Sequence, residues 1–251
     1  MKVLGKHKQL AICIAAALCA ASTGFAATSH WNDASATPQA ETQTAVGTAD
    51  WQQWKTAWEK IRTDYEQVSM APGKDSSCLN FGWYSREQAE KAEVRIAKTQ
   101  DMKAAKTFHG TSQTGTVIDG TTYFTNKVEV SGLQSGQSYW YQVKLDGKWQ
   151  QAHEVKTGNP DDFSFMYVGD PQIGASSGQT SAEGNKQDGE LAARNDAHNW
   201  NKTLNSALAQ HPEINFLVSP GDQINEPAAK QDNEKIRLQE TQYAGYLSAA
   251  A

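Results

Sequence analysis

The chain of 251 residues is long enough for two modest domains, or for one domain and part of another. Its 38% hydrophobic and 20% charged content is typical of a globular protein and excludes a wholly disordered one. The formal net charge of −5 disfavours a nucleic-acid partner, because binding to a phosphate backbone needs clustered Lys and Arg.

The first residues have the pattern of a secretory signal peptide. Lysines precede a short apolar run from Leu10 to Ala21, and Ala26 offers a small-residue cleavage point. The run is shorter than the roughly 20 apolar residues that cross a membrane. We therefore assign residues 1–26 to a signal peptide and expect a secreted mature protein, periplasmic or extracellular, with no membrane partner and with Cys78 as its single cysteine.

A leader and a helix are predicted next. Residues 27–50 are rich in Thr, Ala, Ser and Gln without hydrophobic periodicity, which is typical of disorder. The apolar residues that follow recur at spacings of three and four: Trp51, Trp54, Trp58, Ile61 and Tyr65. This pattern predicts an amphipathic helix over residues 51–77. We expect its aromatic stripe to pack against its own domain, although such a stripe could instead bind sugars or a membrane.

Residues 78–158 alternate between apolar and polar side chains, as short antiparallel strands do. Asp146-Gly147 is the best hairpin signal, because both residues suit the positive φ angles of a type I′ turn. Several short strands with turn signals predict a β-sandwich. The run around Leu133, Gly136 and Tyr139 resembles the corner of fibronectin type III domains, with Ser135 where that family usually has proline.

A different pattern begins after Gly158-Asn159-Pro160. Two apolar runs, Phe163–Val168 and Ile214–Ser219, suit buried strands. Between them, one helix face is predicted to carry Trp200, Leu204, Ala207 and Leu208. Strand, helix and strand in that order predict a βαβ unit with parallel strands in residues 161–251. The polar loop from Gly174 to Gly189 has a length typical of functional or mobile loops.

Both predicted parallel strands end in a Gly-Asp pair. Asp170 follows the first strand and Asp222 follows the second. A single such pair is usually only a turn element. Two at the carboxyl ends of neighbouring strands would deliver both carboxylates into one crevice. Paired carboxylates favour a divalent cation between them, as in two-metal hydrolytic sites.

With these motifs the sequence resembles the calcineurin-like metallophosphoesterases, in the branch related to purple acid phosphatases that carries a fibronectin-III-like domain in front. The resemblance implies a fibronectin-III-like all-β sandwich followed by the first βαβ part of an α/β metallophosphoesterase domain. It also implies hydrolysis of a phosphate-ester substrate with two divalent or mixed-valence metal ions, Fe, Zn, Mn or Mg. Asp170 would bind one ion and Asp222 would bridge both.

Three departures from that family bear on the site. Gln172 stands where many relatives have a histidine ligand, and its amide oxygen is a weaker candidate ligand. Asn225 stands where purple acid phosphatases have their iron-binding tyrosine, so it is expected to contact the metal ligands and not the metal itself. The later Gly-Asn-His-Asp/Glu motif has no counterpart, so we expect a truncated metal site with little activity of its own. The remaining histidines are expected to be surface or packing residues: His109, His153, His198 and His211.

Two other functions stay open. The sandwich and the tryptophan helix could form a secreted binding module beside an inactive βαβ portion. A nucleotide-binding Rossmann domain is a weaker alternative, because residues 169–172 lack its glycine-rich phosphate turn.

Overall fold

The computed structural model describes residues 48–181, 183–225 and 232–248. The predicted signal peptide, residues 1–26, and nearly all of the predicted leader, residues 27–50, lie outside the described residues. Within the described ranges, none of the helices has the length and apolar content needed to cross a membrane.

The described part holds three helices and eleven strands. It begins with helix α1 (Ala49–Ile61). The strands that follow are β1 (Ser69–Pro72), β2 (Leu79–Ser85), β3 (Glu93–Ala97), β4 (Lys106–His109), β5 (Thr111–Ile118), β6 (Thr121–Val130), β7 (Ser138–Leu145), β8 (Lys148–Trp149) and β9 (His153–Lys156). The last elements are β10 (Ser164–Tyr167), α2 (Gly189–Gln210), β11 (Ile214–Val218) and α3 (Asn233–Ser248).

Strands β1 to β9 form two antiparallel sheets that share one hydrophobic core. One sheet has the order β1-β2-β6-β5, and the other has β4-β3-β7, with β8 and β9 both paired to β7. Phe81 and Val128 from the first sheet meet Val94 and Val143 from the second in this core. The alternating pattern therefore predicted the buried faces of these strands correctly. The Asp146-Gly147 turn is also confirmed, since both residues have positive φ angles, 45° and 75°.

The first helix is shorter than the sequence pattern predicted. It ends at Ile61, so the prediction of a helix over residues 51–77 is wrong beyond that point. Residues 69–72 instead pair with β2, because Pro72 and the following glycine would interrupt a helix. Tyr65 lies outside the helix and packs edge-on against Tyr123, with ring centroids 5.9 Å apart.

The predicted strand, helix and strand are confirmed. Strands β10 and β11 pair in parallel, and helix α2 joins them. The inner side chains of this unit pack with the tryptophans of α1 in a second core, whose buried members include Trp51, Trp54, Trp58, Met166, Val168, Trp200 and Leu204. Leu208 departs from the predicted helix face and is 38% exposed.

The outer face of the β10-β11 sheet is aromatic and open to solvent in the described structure. Phe165 stacks on Phe216 with ring centroids 5.6 Å apart, and Tyr167 is 61% exposed. Parallel sheets in globular proteins are usually covered on both faces. This sheet is covered by described residues on one face only, the face directed at the tryptophans of α1.

The contact between Trp58 and Gly245 joins the first and last helices. Trp58 is only 2% exposed, and a Cβ atom at position 245 would lie 3.2 Å from its indole ring. We predict that Trp58→Ala lowers the free energy of unfolding in urea by about 3–5 kcal/mol, through lost burial and the cavity left behind. Gln53→Ala, at an exposed position of the same helix, is the control and should change it by less than about 0.5 kcal/mol.

Candidate metal centre

The turns that follow β10 and β11 are held together by backbone hydrogen bonds. The N–H of Asp170 donates to the carbonyl oxygen of Gly221 over 3.2 Å. The N–H of Gln172 donates to the carbonyl oxygen of Asp222 over 2.9 Å. The parallel pairing thus continues past the strand ends, and it brings the backbones of both predicted metal-binding aspartates to one edge of the sheet.

Asn225 is fixed by the same pattern. Its N–H donates to the carbonyl oxygen of Ile173 over 3.1 Å, and Ile173 pairs with Ile224 in an isolated parallel bridge. Ile173 is fully buried, so it anchors both turns to the core. All four predicted site residues therefore lie in two hydrogen-bonded turns.

Three of these residues have unusual backbone conformations. The φ angles are 60° at Asp170, 38° at Gln172 and 50° at Asp222. A residue with a Cβ atom in the left-handed region costs about 1–2 kcal/mol. Such strain is concentrated at functional sites, where the surrounding structure enforces it. One of the enforcing contacts is the close approach of Pro220 to Gly169, where a Cβ atom would overlap the proline ring.

The two carboxylates are exposed and have no partner among the described residues. Asp170 and Asp222 are exposed, and neither side chain accepts a hydrogen bond or pairs with a basic group among the described residues. An ionised carboxylate is an acceptor only, so a cation would satisfy oxygens that the protein leaves to solvent. Gln172 is half-buried and Asn225 is exposed beside them.

The ligand set in the described part of the chain is incomplete. Residues 48–181, 183–225 and 232–248 contain no group of three or more His, Cys, Asp or Glu side chains placed to hold a metal ion. Asp170 and Asp222 carry hard carboxylate oxygens of the type that divalent cations prefer, and Gln172 and Asn225 carry amide oxygens in the same two turns.

The four histidines among the described residues have packing or surface environments. His198 is 7% exposed and packs edge-on against Trp51, with ring centroids 4.9 Å apart. His109 lies 3.5 Å from Glu93 at the surface of the sandwich. His211 follows the end of α2, and His153 begins β9.

Asp196 is a functional candidate that the sequence reasoning missed. Its carboxylate accepts hydrogen bonds from the backbone N–H groups of Gly174 and Ser176, over 2.9 and 3.2 Å. Burial raises the pKa of Asp196 to about 6, while these bonds act in the opposite direction. Its position four residues before Trp200 was the available signal, because a carboxylate on the buried side of a helix needs a partner.

The long polar loop between β10 and α2 is packed against the domain. Ala175, Ser176, Ser181 and Gln187 are buried. The hydroxyl of Ser176 and the amide of Asn195 both donate to the side-chain oxygen of Gln187. These contacts fix the loop beside the turn that follows β10.

The sandwich is the part of the chain that matches a known family. Residues 65–157 match the family model of the purple acid phosphatase N-terminal domain. This segment resembles purple acid phosphatases. The match confirms the resemblance inferred from the sequence. It begins ahead of β1, which lies within the range predicted as a helix.

Solved structures similar to this chain include two phosphatases. Purple acid phosphatase PPD1 from yellow lupin (Lupinus luteus) seeds has 14% identity and a TM-score of 0.41, over 70% of this chain and 34% of its own. PhoD has 12% identity and a TM-score of 0.34, over 72% of this chain and 46% of its own. Pullulanase type I from Bacillus subtilis strain 168 has 15% identity and a TM-score of 0.22, over 49% of this chain and 19% of its own.

The chain thus spans about a third of the lupin phosphatase and less than half of PhoD. No curated protein matches it. Because all three TM-scores lie below 0.5, conclusions about function depend on the purple acid phosphatase family match and on the geometry of the strand ends.

Backbone strain at Asp170 can be measured directly. We predict that Asp170→Gly raises the free energy of unfolding in the absence of metal by about 0.5–1 kcal/mol, because glycine avoids the Cβ penalty but loses more chain entropy. Asp161→Gly is the control, since Asp161 is exposed and has no left-handed φ angle, and it should lower the free energy. Equal destabilisation by both substitutions would argue against strain at the site.

Acid should weaken the packing of α1 on α2 through His198. Burial lowers the pKa of His198 in the folded protein below its usual 6.5, so on acidification the unfolded chain takes up this proton first. Stability is therefore lost as the pH falls through 6.5 toward the folded-state pKa. We predict that His198→Gln reduces the loss of unfolding free energy between about pH 7 and pH 5, measured by urea unfolding at each pH. The control His153→Gln, at an exposed position, should leave this pH dependence unchanged.

Proposed function

We propose that this chain is part of a secreted, metal-dependent phosphoesterase of the acid-phosphatase type, and that Asp170 and Asp222 are ligands of its two-metal site. The substrate class is a phosphate ester. The N-terminal segment that matches the purple acid phosphatase family supports the class of enzyme. Residues 163–225 supply the proposed cation ligands.

One observation carries this proposal. Two aspartates follow two adjacent parallel strands, both have left-handed φ angles, and their turns are joined by the hydrogen bond from Gln172 N–H to the Asp222 carbonyl oxygen. Glycine adopts such conformations without strain, so the presence of a side chain at both strand ends points to a role beyond the turn itself. Two exposed carboxylates at a sheet edge, on strained turns and without a partner among the described residues, are the arrangement that a cation would stabilise.

The residues present fit part of a two-metal site. Asp170 and Asp222 would hold the ions, and the Gln172 amide oxygen would be a weaker ligand. Asn225 would contact these ligands and not the ions. When bound, two divalent or mixed-valence cations would supply Lewis acidity toward the phosphoryl oxygens and an activated nucleophile. Fe, Zn, Mn and Mg are all compatible with oxygen ligands of this kind.

The chain's own residues would hold the two proposed cation ligands in place. The fixed turns keep Asp170 and Asp222 in place without any rearrangement when a cation arrives. Preorganised ligands of this kind avoid a reorganisation cost during the reaction. Ser176 and Gln187 in the loop that follows are buried, and the Ser176 hydroxyl donates to the Gln187 side-chain oxygen.

The N-terminal sandwich is proposed to be fibronectin-III-like. Two antiparallel sheets around one core support this, as does Tyr139, whose hydroxyl oxygen accepts a hydrogen bond from the Gln134 N–H over 2.9 Å. A tyrosine that binds the backbone a few residues upstream is a hallmark of such sandwiches. Its function in this chain would be to carry the catalytic part, since it packs against helix α3 through Tyr65 and Thr241.

The binding-module alternative is based on two features, the sandwich and the tryptophan helix, and the second does not favour it. Trp51, Trp54 and Trp58 are buried in the core of the βαβ part, and their indole rings are not available to grip a polymer. The indole N–H of Trp51 donates to Glu183 and that of Trp54 to the carbonyl oxygen of Arg194. These contacts favour a structural role for the tryptophan helix.

The proposal is tested by the affinity of the purified chain for Mn²⁺ and Zn²⁺, measured by calorimetry. Asp170→Asn/Asp222→Asn should weaken binding at least tenfold, because it removes both carboxylate ligands at nearly constant size. The matched control is Asp161→Asn/Asp162→Asn, which changes the net charge equally at another exposed pair and should leave the affinity within about twofold. An equal loss in both double variants would reduce the effect to net charge and contradict the proposed site.

A further inference from the structure

Asp196 joins helix α2 to the turn that carries Asp170 and Gln172. It lies in the first half of α2, and its carboxylate accepts hydrogen bonds from the backbone N–H groups of Gly174 and Ser176 and interacts with the Ser176 side chain. Hydrogen bonds to an ionised acceptor are stronger than those between neutral groups. The carboxylate therefore holds the far end of the turn against a rigid element.

The turn needs such support because its conformation is unfavourable on its own. Asp170, Gln172 and Gly174 have φ angles of 60°, 38° and 107°. Alternate residues in the left-handed region persist only when contacts on several sides enforce them. Without those contacts the segment would relax, and the Asp170 side chain would change its direction.

The opposite side of the turn is bound to the second strand end. Ile173 N–H donates to the carbonyl oxygen of Gln223 over 3.2 Å, beside the bond from Gln172 to Asp222. The turn is therefore held between Asp196 on α2 and the residues that carry the second carboxylate. A displacement on the α2 side would be transmitted to the spacing between Asp170 and Asp222.

Helix α3 closes the remaining side. Gln242 is buried, and its side-chain amide lies so close to Gly174 that a Cβ atom there would come within 2.8 Å of the amide carbon. Its side-chain oxygen has no hydrogen-bond partner among the described residues. Gln242 thus limits the space into which the turn could move, while Asp196 provides the attractive contact.

We propose that Asp196 is a positioning residue for the cation site, and that it sets the geometry of Asp170 and Asp222 by holding the N–H groups of Gly174 and Ser176. This role rests on the proposed function. In this proposal Asp196 is not a ligand, so its substitution should lower metal affinity without removing a ligand.

The test compares Asp196→Asn with Asp188→Asn in the full chain. Asp188 caps the same helix by accepting a hydrogen bond from the Leu191 N–H over 2.8 Å, and its substitution removes the same charge without touching the turn. We expect Asp196→Asn to weaken Mn²⁺ binding at least fivefold and to accelerate hydrogen exchange at the Gly174 and Ser176 amides in the absence of metal. Asp188→Asn keeps an equally good capping side chain, so it should leave both the fold and the Mn²⁺ affinity, within about twofold, unchanged.

The possible outcomes separate the two proposals. Wild-type Mn²⁺ affinity in Asp196→Asn, together with a loss in Asp170→Asn/Asp222→Asn, would overturn the positioning role alone. No loss in the double variant would overturn the cation site and the positioning role together. Should Asp196→Asn fail to fold by circular dichroism, Asp196→Glu keeps the charge but displaces it by one methylene, and unchanged Mn²⁺ affinity in that variant would overturn the positioning role.

Discussion

The candidate site depends on the parallel pairing of β10 and β11 and on its continuation past the strand ends. The N–H groups of Val168 and Asp170 donate to the carbonyl oxygens of Val218 and Gly221. These hydrogen bonds fix the register of the two Gly-Asp turns. Ile173, fully buried, ties that register to the core beneath it. The positions of the carboxylates are therefore a consequence of main-chain hydrogen bonds, and the side chains are left free for other partners.

The tryptophan helix stabilises this arrangement from the other face of the sheet. Trp51, Trp54 and Trp58 belong to the same buried cluster as Met166 and Val168, and their helix packs against α2 and α3. The outer face of the same sheet presents Phe165 and Tyr167 to solvent in the described structure. The strand-end turns lie beyond both faces, and their hydrogen bonds do not depend on what contacts the aromatic face.

The sequence predicted the elements with strong local signals. The alternation through Phe81 and Val94, the Asp146-Gly147 turn and the paired apolar runs each follow from side-chain periodicity or turn chemistry, and each is confirmed. The helix beyond Ile61 was wrong because Tyr65 keeps helical spacing although Pro72 and Gly73 do not allow a helix to continue. Asp196 was missed because its spacing from Trp200 indicates only that the carboxylate needs a partner, and the partners are backbone N–H groups of a loop, which no residue type in the sequence marks.

The central claim, a cation site between two strand-end turns, is tested most directly by the line broadening that Mn²⁺ causes in the amide NMR spectrum of the chain. The paramagnetic ion broadens nearby amides first, so the signals of residues 169–173 and 221–225 should disappear at the lowest Mn²⁺ concentrations. Selective loss at these two turns would support the site. Earlier broadening at another acidic surface, such as that around Asp161 and Asp162, or uniform broadening over the chain, would contradict it.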